Sequence, residues 1–339
     1  VEVTSEPARL LDDVSSRNWS ISDQGTLVFL SRPDVERVVP TQTVVTSETG
    51  APEDTLPLPV RPMAHVTVSP DGDWIALVGR SPGASDDELL IYDVARRATR
   101  SPIPTGGAIV PTPAWSPDGS RVAYGVYNGA TIITHLAHRD GGDTEVLPRH
   151  SGSWLPSDWT ADNRLVMYGS EIGDADNIAT VAIDQPDSLR GRVETPFGER
   201  GPRVSPDGRW VAFQSDQSGT VEVHVRSFPD GGSPLQVSSG GGRFPAWAPD
   251  SRQIYFVRTV EGLPDDTLMV ADFDPSVPAV DDTRPLHAFD HWGFDVMPDG
   301  RVVLLEGVSS DSLQASIDRQ ARAVAIVNWL ESVREQIGN

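Results

Sequence analysis

The 339-residue chain is predicted to be all-β, assembled from a repeated four-stranded antiparallel unit. Three observations carry the prediction. One hairpin sequence recurs at a near-constant interval, each copy is centred on a turn signature, and turn formers are abundant, with 30 Gly and 29 Pro. Many short elements fit such a composition; a few long helices do not.

Aligned on the turn aspartate, the copies are SISDQGTLVFLSR (Asp23), VSPDGDWIALVGR (Asp71), WSPDGSRVAYGVY (Asp118), WTADNRLVMYGSE (Asp162), VSPDGRWVAFQSD (Asp207), WAPDSRQIYFVRT (Asp250) and VMPDGRVVLLEGV (Asp299). The intervals are 48, 47, 44, 45, 43 and 49 residues. In each S-P-D-G turn, Ser supplies a local hydrogen bond, Pro presets φ, Asp suits the third position and Gly tolerates positive φ. The run that follows, such as Trp210 to Phe213, has the β-branched and aromatic content of a strand. A second strand pair follows in most units, for example ELLIYDVARRATRSPI and TVEVHVRSFPDGGSPLQV. Each unit is therefore four antiparallel strands in about 45 residues, the pattern of a β-propeller. A solenoid fits worse, because its coils are shorter and parallel.

Seven motifs predict seven blades, with six as the alternative if a terminal unit is degenerate. The chain is read as one domain over 1–339. Residues 6–11 (EPARLL) are expected as the N-terminal strand that completes the last blade, since closure removes the open edges that invite aggregation. In the tail, Ile317, Ala321, Val324, Val327, Leu330 and Val333 follow helical spacing, while RAVAIVNW also alternates as a strand.

The formal charge of −22 opposes binding to nucleic acid phosphates or anionic membrane surfaces. All 27 basic residues are arginine. With no cysteine, disulfides, thiolate zinc sites and a cysteine nucleophile are excluded. No run approaches the ~20 apolar residues of a membrane helix, and the first residues lack a secretory signal pattern. Targeting information is therefore expected upstream of a mature or excised segment.

The repeat pattern resembles that of TolB-type (PD40, WD40-like) propellers. Residues 225–256 and the closing AVAIVNWLESVRE resemble the extracytoplasmic C-terminal propellers of bacterial transmembrane serine/threonine protein kinases. That resemblance implies a tail strand near 322–329, a short helix near 330–337, and a periplasmic sensor or docking domain tethered by an upstream membrane helix. No Gly-rich phosphate loop, HRD or DFG is present, so kinase activity is not expected here.

Function is thus read as non-enzymatic binding. The alternatives are a calcium-dependent propeller hydrolase of lactonase or esterase type, and a structural accessory subunit of a membrane complex. No G-x-S-x-G elbow or H-E-x-x-H pair occurs. No cofactor is expected. If calcium binds, the weak candidate ligands are Asp174, Asp176 and Asn177, in an acidic stretch that lacks the EF-hand pattern. The candidate ligand-binding residues lie where loops enter innermost strands: Arg149, His150 and Trp154; Arg200 and Arg203; Arg243 and Phe244; His291 and Trp292. If the blades are equivalent, these gather arginines and aromatics at one channel mouth, suiting a protein partner or a small anionic or peptide ligand.

Overall fold

The computed structural model describes residues 19–21, 27–31, 40–58, 61–81, 84, 86–100, 102–109, 113–127, 131–170, 175–193, 195–229, 231–258, 266–289, 293–307 and 322–326. They fall into two compact units, one drawn from residues 1–40 and 308–339, the other from residues 41–307. All regular structure in the described residues is β-strand, and no helix there is long and apolar enough to cross a membrane.

The smaller unit contains one three-stranded sheet: β1 (Trp19–Ile21), β2 (Leu27–Ser31) and the last strand of the chain, β29 (Arg322–Ile326). β2 pairs antiparallel with both neighbours, from Leu27↔Ile326 to Ser31↔Arg322 on the β29 side. The tail strand expected near 322–329 is therefore present as β29. Residues 6–11 and 330–337, assigned above to a closing strand and a helix, lie outside the described residues.

The larger unit is a six-bladed β-propeller. Its first two strands, β3 (Pro40–Thr46) and β4 (Pro52–Thr55), belong to the last blade. Blade 1 contains β5 (Arg61–Val68), β6 (Trp74–Gly79) and β7 (Glu88–Asp93), with β8 (Ala98–Thr99) and β9 (Ile103–Pro104) both paired to β7. In blade 2, β10 (Ala108–Ile109) and β11 (Ala114–Trp115) share the partner β12 (Arg121–Tyr127), followed by β13 (Ile132–His138) and β14 (Glu145–Val146). Blade 3 runs β15 (Ser153–Trp159), β16 (Arg164–Ser170), β17 (Asn177–Ala182), β18 (Gln185–Val193). Blade 4 runs β19 (Glu199–Val204), β20 (Trp210–Ser215), β21 (Glu222–Ser227), β22 (Leu235–Gln236). Blade 5 runs β23 (Arg243–Trp247), β24 (Gln253–Arg258), β25 (Asp266–Asp274), β26 (Ala279–Phe289). Blade 6 is the hairpin β27 (Phe294–Val296) and β28 (Val302–Gly307), completed by β3 and β4.

Six blades, not seven, form the ring, and the register gives the reason. The segment after the first motif pairs with the seventh motif: Thr41↔Gly307 through Thr46↔Val302 along β3 and β28. β4 then adds to β3 through Val44↔Thr55. The outer half that the first hairpin would need for a blade of its own is thereby used to close blade 6. The first hairpin takes β29 as its partner instead.

Burial explains why the strand after each turn carries an unbroken apolar run instead of alternating with polar residues. β6 is buried at all six positions. Its alternate residues face opposite neighbours: Ile75 and Leu77 join Val45, Met297, Val303 and Leu305 of blade 6, whereas Trp74, Ala76 and Val78 join Trp115, Val122 and Tyr124 of blade 2. Equivalent clusters lie between blades 2 and 3, 3 and 4, 4 and 5, and 5 and 6. The larger unit is stabilised by these interfaces, each the apolar area of two sheet faces removed from water.

The turns repeat their chemistry as faithfully. Ser69 donates to Asp71 at 2.5 Å and accepts from the Trp74 N–H at 2.9 Å; Ser116 with Asp118 and Ser205 with Asp207 do the same at 2.6 and 2.5 Å. Gly72, Gly119, Gly208 and Gly300 adopt positive φ, and Asn163 and Ser251 hold the same position at +64° and +61°.

Candidate functional site

The position two residues before the turn serine lies near the turn end of each inner strand. Around the ring it is Thr67, Ala114, Asp158, Arg203, Ala246 and Asp295. Register shifts immediately precede it in three blades, between Pro156 and Asp158, Arg200 and Arg203, and Arg243 and Ala246, and in blade 1 a shift between Met63 and His65 lies two residues earlier. An extra residue there bends the strand and re-aims the side chain that follows.

Three of these six positions are charged: Arg203 contacts Asp295 directly and acts on Asp158 through space. Arg203 of blade 4 donates to Asp295 of blade 6 at 3.1 Å, passing blade 5. Asp295 also accepts from the Thr67 hydroxyl (3.0 Å) and the Val68 N–H (2.8 Å) of blade 1. Asp158 accepts from the Val204 N–H of blade 4 at 2.6 Å. Each carboxylate additionally accepts the N–H of its own following residue, Trp159 at 2.8 Å and Val296 at 3.0 Å.

Asp295 of blade 6 thus serves the Val68 N–H of blade 1 and Asp158 of blade 3 serves the Val204 N–H of blade 4, whereas the blade before Val296 offers only Ala246 and that N–H turns to its own Asp295. Where the next blade has a tryptophan at the valine position, the indole donates backwards to the preceding backbone, Trp115 to Thr67 O at 3.2 Å and Trp247 to Arg203 O at 2.9 Å. Trp159 departs from this pattern: its indole donates to Asn163 at 3.0 Å and its ring lies 5.2 Å from the Arg121 guanidinium.

Burial pushes the Asp158 carboxyl above the ordinary carboxylate range; Arg203 and the two backbone donors oppose that rise without cancelling it. Burial also disfavours the Arg203 cation, but Asp295 and Asp158 outweigh it and hold its pKa above the ordinary value. One cation between two carboxylates makes a polar floor for the channel.

The sequence-predicted residues are not gathered in one place. Arg203 belongs to the floor. Arg200 turns to the junction of blades 3 and 4, where its Nε lies 2.5 Å from Asp176. Trp154 is half-buried on the core between blades 2 and 3, with its indole donating to Ser151 O at 2.9 Å. Arg149 and Arg243 are exposed, and neither has an ion-pair partner among the described residues. His150 is half-buried, its pKa lowered by burial against the opposing pull of Asp187. Phe244 is half-buried against the core between blades 5 and 6. His291, Trp292 and Asp174 lie outside the described residues.

Phe244 has φ +54°, while its equivalent in blade 4 is Gly201 at +58°. Glycine takes this conformation freely; a bulky side chain held there costs about 1–3 kcal/mol and clusters at functional sites.

The weak cation candidates are engaged otherwise. Asp176 pairs with Arg200, and Asn177 donates to Ala175 O (2.9 Å) and accepts from the Thr195 N–H (3.3 Å). Among the described residues no cluster of three His, Asp or Glu side chains suits a metal ion. Asp158, Asp295 and a buried acid at the entry end, Glu199, lie within strands and belong to no motif that marks them in the sequence. Aligning the repeats two residues before each turn serine is the signal that finds the first two.

No protein-family profile matches the chain. Among curated proteins, an uncharacterized protein of Agrobacterium fabrum is 28% identical over 198 residues, which is 56% of this chain and 63% of that one. The matched stretch thus spans less than two thirds of the relative's length. Among solved structures, a putative TolB from Agrobacterium tumefaciens superimposes with a TM-score of 0.65 at 19% identity, covering 80% of this chain and 99% of that chain. TolB from Acinetobacter baumannii does so with a TM-score of 0.55 at 14% identity, covering 85% and 66%. At these identities the likeness establishes the fold: the chain shares the β-propeller architecture of the TolB structures.

Proposed function

We propose that the chain is a non-enzymatic docking propeller that holds an acidic segment of a partner protein at the channel mouth opposite the S-P-D-G turns. The observation that carries this reading is Phe244, kept in a left-handed conformation beside the exposed Arg243 where the neighbouring blade uses glycine. The ring does not require that strain, so a ligand contact is its natural use. Arg149 and Arg243 are suited to fork carboxylates, and an aromatic beside them adds rigid contact area. A placement outside the cytoplasmic membrane, free or tethered, belongs to the same reading and is supported by the resemblance of residues 225–256 to kinase-linked propellers.

The test is panning a phage-displayed peptide library on the immobilised protein, followed by calorimetry of the enriched peptides. Peptides rich in Asp and Glu are expected, with affinity falling about tenfold or more on Arg243→Ala and on Phe244→Gly. Phe244→Gly is expected to stay within about 1 kcal/mol of wild-type stability, because release of strain offsets lost packing. Failure to enrich peptides, or binding that ignores both substitutions, overturns the reading.

A further inference from the structure

Away from the channel, a cavity of about 400 Å³ opens between the outer parts of blades 4 and 5. That volume is within the range of small-molecule sites. One wall comes from the loop leaving β22, with Val237 and Ser239; the opposite wall comes from β24 and β26, with Phe256, Arg258, Val280 and Thr283. Phe256 and Val237 are buried core residues, so the apolar part of the cavity is fixed by interblade packing. The loop's close fit depends on Gly242, where an added Cβ would lie 2.2 Å from the Ser238 hydroxyl.

Arg258 is the titratable residue of the lining. Its Nε is buried without a hydrogen-bond partner, and it makes no ion pair among the described residues. By contrast, Arg80, Arg97, Arg200, Arg203 and Arg284 each have a carboxylate partner. The buried Glu222, beside Ser238 of the lining, is engaged elsewhere: Ser238 donates to it at 2.5 Å and the Gly241 N–H at 2.9 Å. A guanidinium with no carboxylate beside it is a cation that an anionic ligand in the cleft would compensate.

We propose that this cleft binds a small monocarboxylate with a compact apolar body. Its carboxylate meets the Arg258 guanidinium, with the Ser239 and Thr283 hydroxyls on either side, and its hydrocarbon part lies on Phe256, Val237 and Val280. Arginine provides the fork geometry that a carboxylate fills with two parallel bonds. The site is independent of the channel mouth and of the partner proposed for it.

The experiment is calorimetric titration of the full chain with 3-phenylpropionate, paired with the isosteric 3-phenylpropionamide. The carboxylate is expected to bind at least about tenfold more tightly than the amide, and Arg258→Gln is expected to erase that difference. Thr283→Trp, which fills the cleft from its exposed edge, is expected to abolish binding in a protein whose circular dichroism is unchanged. Arg243→Ala, at the channel mouth, is expected to leave the titration as it was. The proposal is overturned if the carboxylate does not bind, if the amide binds as well, or if binding survives Arg258→Gln and Thr283→Trp. Loss of binding on Arg243→Ala overturns it too, by placing the ligand at the mouth.

Discussion

Glu199 is 1% exposed; the Thr195 hydroxyl donates to one of its carboxylate oxygens, and the other oxygen has no partner. Burial, with Asp216 nearby, raises its pKa to about 7 against the opposing Thr195 bond and Arg226 charge. Between the ordinary carboxyl value and 7, the unfolded chain loses this proton while the folded chain keeps it. Stability therefore falls as pH rises through that window and levels off above it. A shift of this size is worth at most about 3 kcal/mol. Glu199→Gln is expected to match wild type near pH 4.5 and exceed it at pH 8, read as urea midpoints at both pH values. Asp295 makes the opposite case. Its carboxylate holds Arg203, Thr67 and Val68 together, so Asp295→Ala should cost about 3 kcal/mol by removing the ion-pair partner of Arg203 and leaving Asp158 alone to offset its charge. The double variant Asp295→Ala with Arg203→Met should be milder than Asp295→Ala alone, which a denaturation series would reveal. Neither residue stands out in the sequence: Glu199 reads as a loop charge, and Asp295 is hidden beside the better-conforming turn that follows it.

At the scale of elements, the repeated hairpins were readable because turn chemistry and strand propensity agree at every copy. β3 and β4 were harder to place, because they carry no S-P-D-G turn and precede their partner by some 250 residues. Pairing at that separation is decided by register and burial, which local sequence does not display. Among the described residues the pair that completes blade 6 is PTQTVVT with PEDT, and EPARLL lies outside them. β3 also carries a testable flaw. The Thr43 hydroxyl is buried with no hydrogen-bond partner. Thr43→Val should therefore raise stability by about 1 kcal/mol, whereas Thr43→Pro, in a strand paired on both sides, should lose about 3 kcal/mol or more. Thermal and chemical denaturation of the two variants would check the signs.

For the whole molecule, the period near 46 predicted the architecture, and blade number turned on how the ends were spent. Seven motifs produce six blades because the first hairpin and the tail form their own sheet, in a unit distinct from residues 41–307. The candidate site divides along the same line. The loop residues Arg243 and Phe244 were legible from blade equivalence, but the Asp158–Arg203–Asp295 floor and the Arg258 cleft depend on which strands become neighbours. The most direct measurement is made on a fragment of residues 40–307. It should unfold in one cooperative transition and bind the peptides selected on the full chain with unchanged affinity, while residues 57–307, lacking β3 and β4, should expose the β28 edge and aggregate. A 40–307 fragment that does not fold, or that folds and binds none of those peptides, would contradict the closed ring with its binding mouth.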